Sequence, residues 1–340
     1  MRGEPFVGDA GKVLNAALDG AGVSRSVILI TNIVDKRPPR DDWGAHSVEA
    51  ITFGTTRLCE LLNGAPRRTV VGLGAQAFYA CATGEPPPRS ERELTAALAA
   101  RFGGSITELR GYVWDGPFGP TMAAVHPAFV LRTWLPWRAT LQWDLEKAAR
   151  WVRGCGPPQR VSRFCRNSSE AAAAAVSFLR APLLACDIET DGGCAPVCVA
   201  FAASADEGVT FVLPRDRAQV AELLASPADK IFQNGQFDVT VLRRHDFEVR
   251  NFAHDVMLLW HAVEPLIAGR SGDTGSRASQ KSLRFLASVF TDEPFWKDYH
   301  FEREEDRWTL NATDARVTYE VFERLQKPLH GCSKAKSVVI

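Results

Sequence analysis

No run of about 18 consecutive apolar residues occurs in this sequence, which argues against a helical membrane span. The N-terminus also lacks a basic stretch followed by an apolar run, so no secretory signal is legible. Charge of one sign is missing as well: Lys+Arg and Asp+Glu each total 40. A polyanionic partner would therefore meet no global attraction and would need local basic patches. The candidates are short: Arg67-Arg68, Arg243-Arg244 and Lys334 to Lys336. The 8 cysteines contain no C-x-x-C pair. Cys194 and Cys198 make half of a metal set that no nearby pair or histidine completes, which argues against structural zinc. Reduced, buried thiols in the cytoplasm are the expectation.

What is present is an ordinary globular composition, 46% hydrophobic and 24% charged over 340 residues. That length suits two domains. The first half alternates apolar β-branched runs, Ser26 to Val34, Thr69 to Leu73 and Thr121 to Val125, with amphipathic stretches Ser47 to Leu62 and Glu91 to Phe102. Strands alternating with helices predict an α/β domain with a largely parallel sheet. Ser90, three residues before Glu93, reads as a capping box. The helical run Asp144 to Val152 meets Gly154 to Pro158, a strong break. Beyond it, Ser168 or Ser169 is expected to cap an alanine-rich helix. Strands Leu183 to Ile188, Val197 to Ala203 and Val209 to Leu213 then predict an antiparallel meander, followed by mostly helical sequence. The expected divisions are a first domain over 1–153, a linker over 154–167, a second domain over 168–328 and a tail over 329–340.

Acidic residues in the second half form the most informative pattern. Asp187 and Glu189 flank Ile188 at the end of a strand, so alternation puts both carboxylates on one face. Their mutual repulsion is relieved when a divalent cation lies between them. Asn234 and Asp238 are four apart in a helix-like stretch, Lys230 to Leu242, which places them on one face. Asp314 is expected in the first turn of a helix over Ala315 to Leu325, on a core-facing pattern. A buried carboxylate without a partner would be costly there, and a metal ion would offset that cost.

These stretches resemble the three motifs of the DEDD exonuclease superfamily, above all the proofreading domain of family A DNA polymerases and its phage homologues. LLACDIETDG with VCVAFAAS and VTFVLP resembles the first motif and its meander, and FQNGQFDVTVL the second. HDVMLLWHAVEP carries the intervening Asp255, and SLRFLASVFTDEPFWKDY is similar to the phage linking segment. The resemblance implies a ribonuclease H-like fold with a mixed sheet. It implies two Mg²⁺ or Mn²⁺ ions held by Asp187, Glu189, Asp238 and Asp314, with Asn234 orienting substrate. The implied reaction is 3′–5′ hydrolysis at a single-stranded DNA 3′ end. A separate DNA polymerase would be the partner in any proofreading role. Where the family places an orienting Tyr or His, this sequence has Leu310 and Thr309, which implies slower turnover.

In the first half, GEPFVGDAGKVLNAAL, VILITNIVDKRPP, VVGLGAQAF and HPAFVLR resemble successive motifs of the family 4 and 5 uracil-DNA glycosylases. By that resemblance Phe6 stacks on a flipped base, Asn32 reads its pairing edge and His126 stabilises the departing uracil anion. The family's first, water-positioning motif lies upstream of PFVG and is absent here. Its cluster-ligating cysteines are also missing, Lys36 standing where one is expected. The expectation is therefore an N-terminally incomplete domain that holds DNA and has no iron–sulfur cluster. Two alternatives belong to other classes: a catalytically reduced replication accessory protein that binds nucleic acid, and an active uracil-DNA glycosylase.

Overall fold

Apolar strands and amphipathic helices alternate through both halves of the chain. The computed structural model describes residues 4–64, 69–133, 136–154, 156–157, 159–192, 194–265, 280–296 and 303–327. Contacts divide the chain into two units, Met1–Pro157 and Pro158–Ile340. Arg67-Arg68, Lys334 to Lys336, Cys155, Cys332 and the tail lie outside the described residues.

The first unit runs α1 (Asp9–Gly20), α2 (Val48–Gly64), β1 (Val70–Leu73), α3 (Ala75–Thr83), α4 (Glu91–Phe102), α5 (Ile106–Leu109), β2 (Val113–Gly116), β3 (Gly119–Ala124), α6 (Pro127–Thr133) and α7 (Pro136–Val152). Its sheet has the order β1-β3-β2. β1 and β3 are parallel, with Val70 opposite Thr121, whereas β2 and β3 form an antiparallel hairpin. The sheet is thus mixed rather than largely parallel. Ser90 caps α4, its hydroxyl accepting from the Glu93 N–H at 3.1 Å.

The strand expected over Ser26 to Val34 does not form. Arg25–Val27 is instead a short 3-10 turn, and the rest joins no sheet. Ile28 and Ile30 pack on a core of Leu14, Leu18, Val125 and Leu141, while Val27 and Leu29 face solvent. The apolar run satisfied packing without a neighbouring strand. Part of its backbone turns to side chains, Arg57 donating to the Asn32 carbonyl at 2.7 Å.

The second unit runs β4 (Val161–Phe164), α8 (Ser168–Phe178), β5 (Leu183–Thr190), β6 (Pro196–Ala202), β7 (Glu207–Val212), α9 (Arg217–Ala225), β8 (Asp229–Phe232), α10 (Gly235–Arg244), β9 (Phe252–Asp255), α11 (Val256–Val263), α12 (Leu283–Phe290) and α13 (Glu304–Leu325). Six strands lie in the order β4-β7-β6-β5-β8-β9. β5, β6 and β7 form the expected antiparallel meander, and β4, β8 and β9 add in parallel. The chain is therefore a two-unit α/β protein with two mixed sheets.

Several local expectations need correction. The segment 154–167 is not all linker, because β4 lies in it and pairs with β7. Asn167, not Ser168 or Ser169, caps α8, its side chain accepting from Glu170 N at 2.9 Å. Lys230 to Leu242 is not one helix: it is β8, a turn at Asn234 in a left-handed conformation (φ 58°), and α10. Asn234 therefore precedes the helix that carries Asp238 instead of sharing its face. Asp314 lies in the middle of α13, which begins at Glu304 with three acids in its first turn. Those acids complement the positive end of the helix dipole, a start signal upstream of the motif.

α13 rests directly on the sheet, packing on β4, β7, β6 and β5. A Cβ on Gly208 of β7 would stand 2.0 Å from the Ala312 carbonyl oxygen, so only glycine admits this approach. Gly208→Val is expected to push α13 away from the sheet and cost about 3 kcal/mol or more, the upper range for overpacking. Denaturant unfolding measures that loss.

Candidate metal centre

β5 alternates core and site residues. Cys186 and Ile188 enter the apolar core, so Asp187 and Glu189 project together from the other face. α13 supplies Asp314, buried at 3% exposure. One carboxylate oxygen each from Asp187, Glu189 and Asp314 lies within 4.8 Å of the others. Three acids from two distant parts of the chain thus meet.

Neighbours fix these carboxylates. Asn311 Nδ2 donates to Asp187 Oδ2 at 2.7 Å. The Asn311 Oδ1 accepts from Thr210 Oγ1 at 3.3 Å and from Cys198 Sγ at 3.5 Å, which sets the amide's orientation. Trp296 Nε1 donates to Asp314 Oδ1 at 2.6 Å. Arg307 brings its Nε to 3.5 Å from Glu189 Oε2 and donates from Nη2 to the Thr190 carbonyl. Outer partners of this kind hold ligands in a single orientation. The donor set is all oxygen, which suits a hard divalent ion such as Mg²⁺ or Mn²⁺.

Asp238 stands apart from the three clustered acids. It is buried at 7% exposure in the first turn of α10. Burial is the main cause that pushes its carboxyl up to about 7, with the Asp255 and Glu189 charges adding to it. Hydrogen bonds from its own backbone and that of Ile188 oppose the rise and place it against β5. The sign of the pH effect follows. A carboxyl with a raised folded-state pKa favours the fold below its unfolded value near 4, and that contribution is lost as pH rises to about 7. A divalent ion nearby favours the ionised form. Mn²⁺ should therefore raise the melting temperature more at pH 8 than at pH 5.5. A thermal shift series with and without Mn²⁺ checks this.

Asp255 takes a structural part. Its carboxylate accepts from the Gly235 N–H at 2.8 Å, from Asn234 N at 3.2 Å and from Met257 N at 2.9 Å. It joins the turn before α10 to the start of α11. Asn234 lines a cavity of about 360 Å³ with Cys194, Gln236, Phe237, Thr240, Val241 and Arg244. Leu310 is buried and apolar, and the Thr309 hydroxyl is tied to the Glu305 carbonyl at 2.8 Å. Sequence reasoning missed Arg307, Asn311 and Trp296 as site residues. Arg307, Asn311 and Asp314 recur at helical spacing, a signal hidden by starting the helix too late.

In the first unit, Phe6 and His126 meet with ring centroids 5.5 Å apart. The His126 Nδ1 accepts from the Ala128 N–H at 3.1 Å, which puts the proton of the neutral ring on Nε2. Burial pushes the imidazole pKa down, favouring that neutral form. Gly74, at φ 92°, lets the β1–α3 turn pass the ring: a Cβ there would lie 3.2 Å from the His126 Cβ. Asn32 is exposed and makes no side-chain hydrogen bond to either residue among those described.

Residues 1–153 match the uracil DNA glycosylase superfamily. A type-4 uracil-DNA glycosylase of Pyrobaculum aerophilum is 31% identical over 135 residues, which are 38% of this chain and 60% of that protein. The chain thus spans about 60% of the curated relative's length. Among solved structures, the EXO domain of Aedes aegypti Nibbler is 16% identical, with a TM-score of 0.37, over 51% of this chain and 91% of that one. RNase D of Escherichia coli, an exoribonuclease involved in structured RNA processing, is 15% identical with a TM-score of 0.35, over 48% of this chain and 44% of that one. The first 153 residues are uracil-DNA glycosylase-like, and about half of the chain is similar to solved exonuclease domains.

Proposed function

We propose that this chain is a divalent-metal-dependent 3′–5′ exonuclease acting on single-stranded DNA ends, with a glycosylase-like unit that holds DNA. The observation that carries this reading is the convergence of Asp187, Glu189 and Asp314 within 4.8 Å, with Asp238 hydrogen-bonded to the Ile188 backbone of β5. These four carboxylates are the proposed ligands, for two Mg²⁺ or Mn²⁺ ions. Ions held there would supply a lowered water pKa and neutralise charge on the phosphate in flight.

The protein's own groups do the rest. Asn311 and Trp296 hold Asp187 and Asp314 in place for their ligand role. Asn234 orients the substrate. On α10, the half-exposed Phe237 offers an aromatic face to a base and Arg244 a cation to a backbone phosphate. A separate DNA polymerase is the proposed partner, and the proposed setting is phage-encoded DNA replication or repair in a host cytoplasm.

The test is digestion of 5′-labelled single strands of DNA and of RNA, with Mg²⁺, Mn²⁺ or EDTA. A ladder of DNA shortened from the 3′ end, seen only with metal, supports the reading. No shortening with either metal overturns it, and shortening of RNA alone replaces the substrate. The Phe6–His126 pair favours a second reading, uracil excision by the first unit. Release of free uracil from uracil-containing DNA would establish that activity.

A further inference from the structure

An acidic centre that works on phosphodiesters has an electrostatic problem. Asp187, Glu189 and Asp314 lie within 4.8 Å of one another and repel the anionic group that must approach them. Bound metal relieves part of that repulsion, yet a cation fixed in the protein would also draw and orient the phosphate. Arg307 is in place for this. It lies on α13 in the helical stripe that continues through Asn311 to Asp314. Its Nε is 3.5 Å from Glu189 Oε2, and both side chains keep 27% exposure, so this edge of the centre opens to solvent.

The guanidinium is also anchored. Nη2 donates to the Thr190 carbonyl at the end of β5, and Nε faces Glu189. Among the described residues Nη1 has no acceptor, which leaves its two N–H groups for a ligand. A planar guanidinium held at one edge and free at the other suits the oxygens of a phosphate. Among the described residues of this edge, Leu310 is buried and the Thr309 hydroxyl is committed to the Glu305 carbonyl.

We propose that Arg307 is a catalytic residue of this centre, gripping the phosphate of the scissile diester and stabilising the charge that builds on its oxygens. The proposal rests on the nuclease reading above. In it the Arg307–Glu189 contact is a compromise: the guanidinium partly neutralises a metal ligand while serving the substrate. Its removal should therefore move two properties in opposite directions.

The experiment uses Arg307→Gln and Arg307→Lys in the full chain. Mn²⁺ affinity is measured by calorimetry without substrate, and turnover on a single-stranded oligodeoxynucleotide. Arg307→Gln is expected to lower kcat by about 10²–10³-fold, the usual loss for one donor to a developing oxyanion. It should bind Mn²⁺ at least as tightly as the wild type. Arg307→Lys should recover part of the kcat. Wild-type kcat in Arg307→Gln overturns the proposal. So does a fall of Mn²⁺ affinity together with kcat, which would make Arg307 a clamp for Glu189. A wild-type chain that binds no Mn²⁺ overturns the nuclease reading beneath it, and is distinguishable because it appears before any substitution.

Discussion

Asp187→Ala should abolish metal-dependent shortening of a DNA 3′ end, with a loss of at least ~10³-fold, and leave the fold intact. The size follows from the chemistry proposed. A metal ion that stabilises transition-state charge contributes several kcal/mol, and about 4 kcal/mol is a factor of ~10³. The preserved fold follows from position. Asp187 is half-buried on the site face of β5, while its neighbours Cys186 and Ile188 fill the core. The substitution leaves Asn311 Nδ2 without its acceptor, a cost of about 1–3 kcal/mol that a stable domain tolerates. Circular dichroism and the melting temperature distinguish a lost site from a lost fold. Equal digestion by Asp187→Ala and wild type would assign the cleavage to something other than these acids.

The second large effect concerns stability. Arg316, two residues beyond Asp314, donates from both terminal nitrogens to Glu293, at 2.7 and 2.6 Å. Arg160 pairs with Glu293 at 3.0 Å and with Glu320 at 2.7 Å. All four side chains are at most 8% exposed. Arg316 Nε and Thr313 Oγ1 also meet at Ser162 Oγ, each at 2.8 Å. Two buried cations and two buried anions balance here, with the exposed Arg324 at 3.6 Å from Glu320, and removing one buried partner leaves an uncompensated buried charge. Arg316→Ala should destabilise the second unit by about 3–5 kcal/mol. In a unit of this size that lowers the melting temperature by roughly 10 °C. A combined Arg316→Met and Glu293→Leu variant should recover much of the loss, because a well-packed apolar pair can replace a buried ion pair. Glu293 precedes Trp296 by three residues, so the same network steadies the segment that reaches Asp314.

Much of the architecture was legible from local patterns. β1, β3, α2, α4 and the β5–β7 meander appear where apolar periodicity and capping residues put them. The failures share a cause. Ser26 to Val34 carries a strand pattern, yet a strand exists only where another backbone pairs with it, and none is present among the described residues. β8 was hidden at the front of a helix-like stretch because four residues cannot reveal their period. β4 is short and polar, and is defined by pairing with β7 rather than by its own composition.

The site was legible to a similar degree. The pair on β5 could be read from alternation alone, and Asp314 from the cost of burying an acid. Asn311, Trp296 and Arg307 could not be read that way. Asn311 and Trp296 act through contacts separated by 124 and 18 residues respectively. The different setting of Asp238 is a matter of three-dimensional burial that sequence spacing does not encode.

The most direct measurement is anomalous diffraction from crystals of the full chain soaked in Mn²⁺. Anomalous density in contact with carboxylate oxygens of Asp187, Glu189 and Asp314, lost in Asp187→Ala crystals, is the expected result. Density only elsewhere, or none while Asp314 turns away from β5, would contradict a metal centre at these acids.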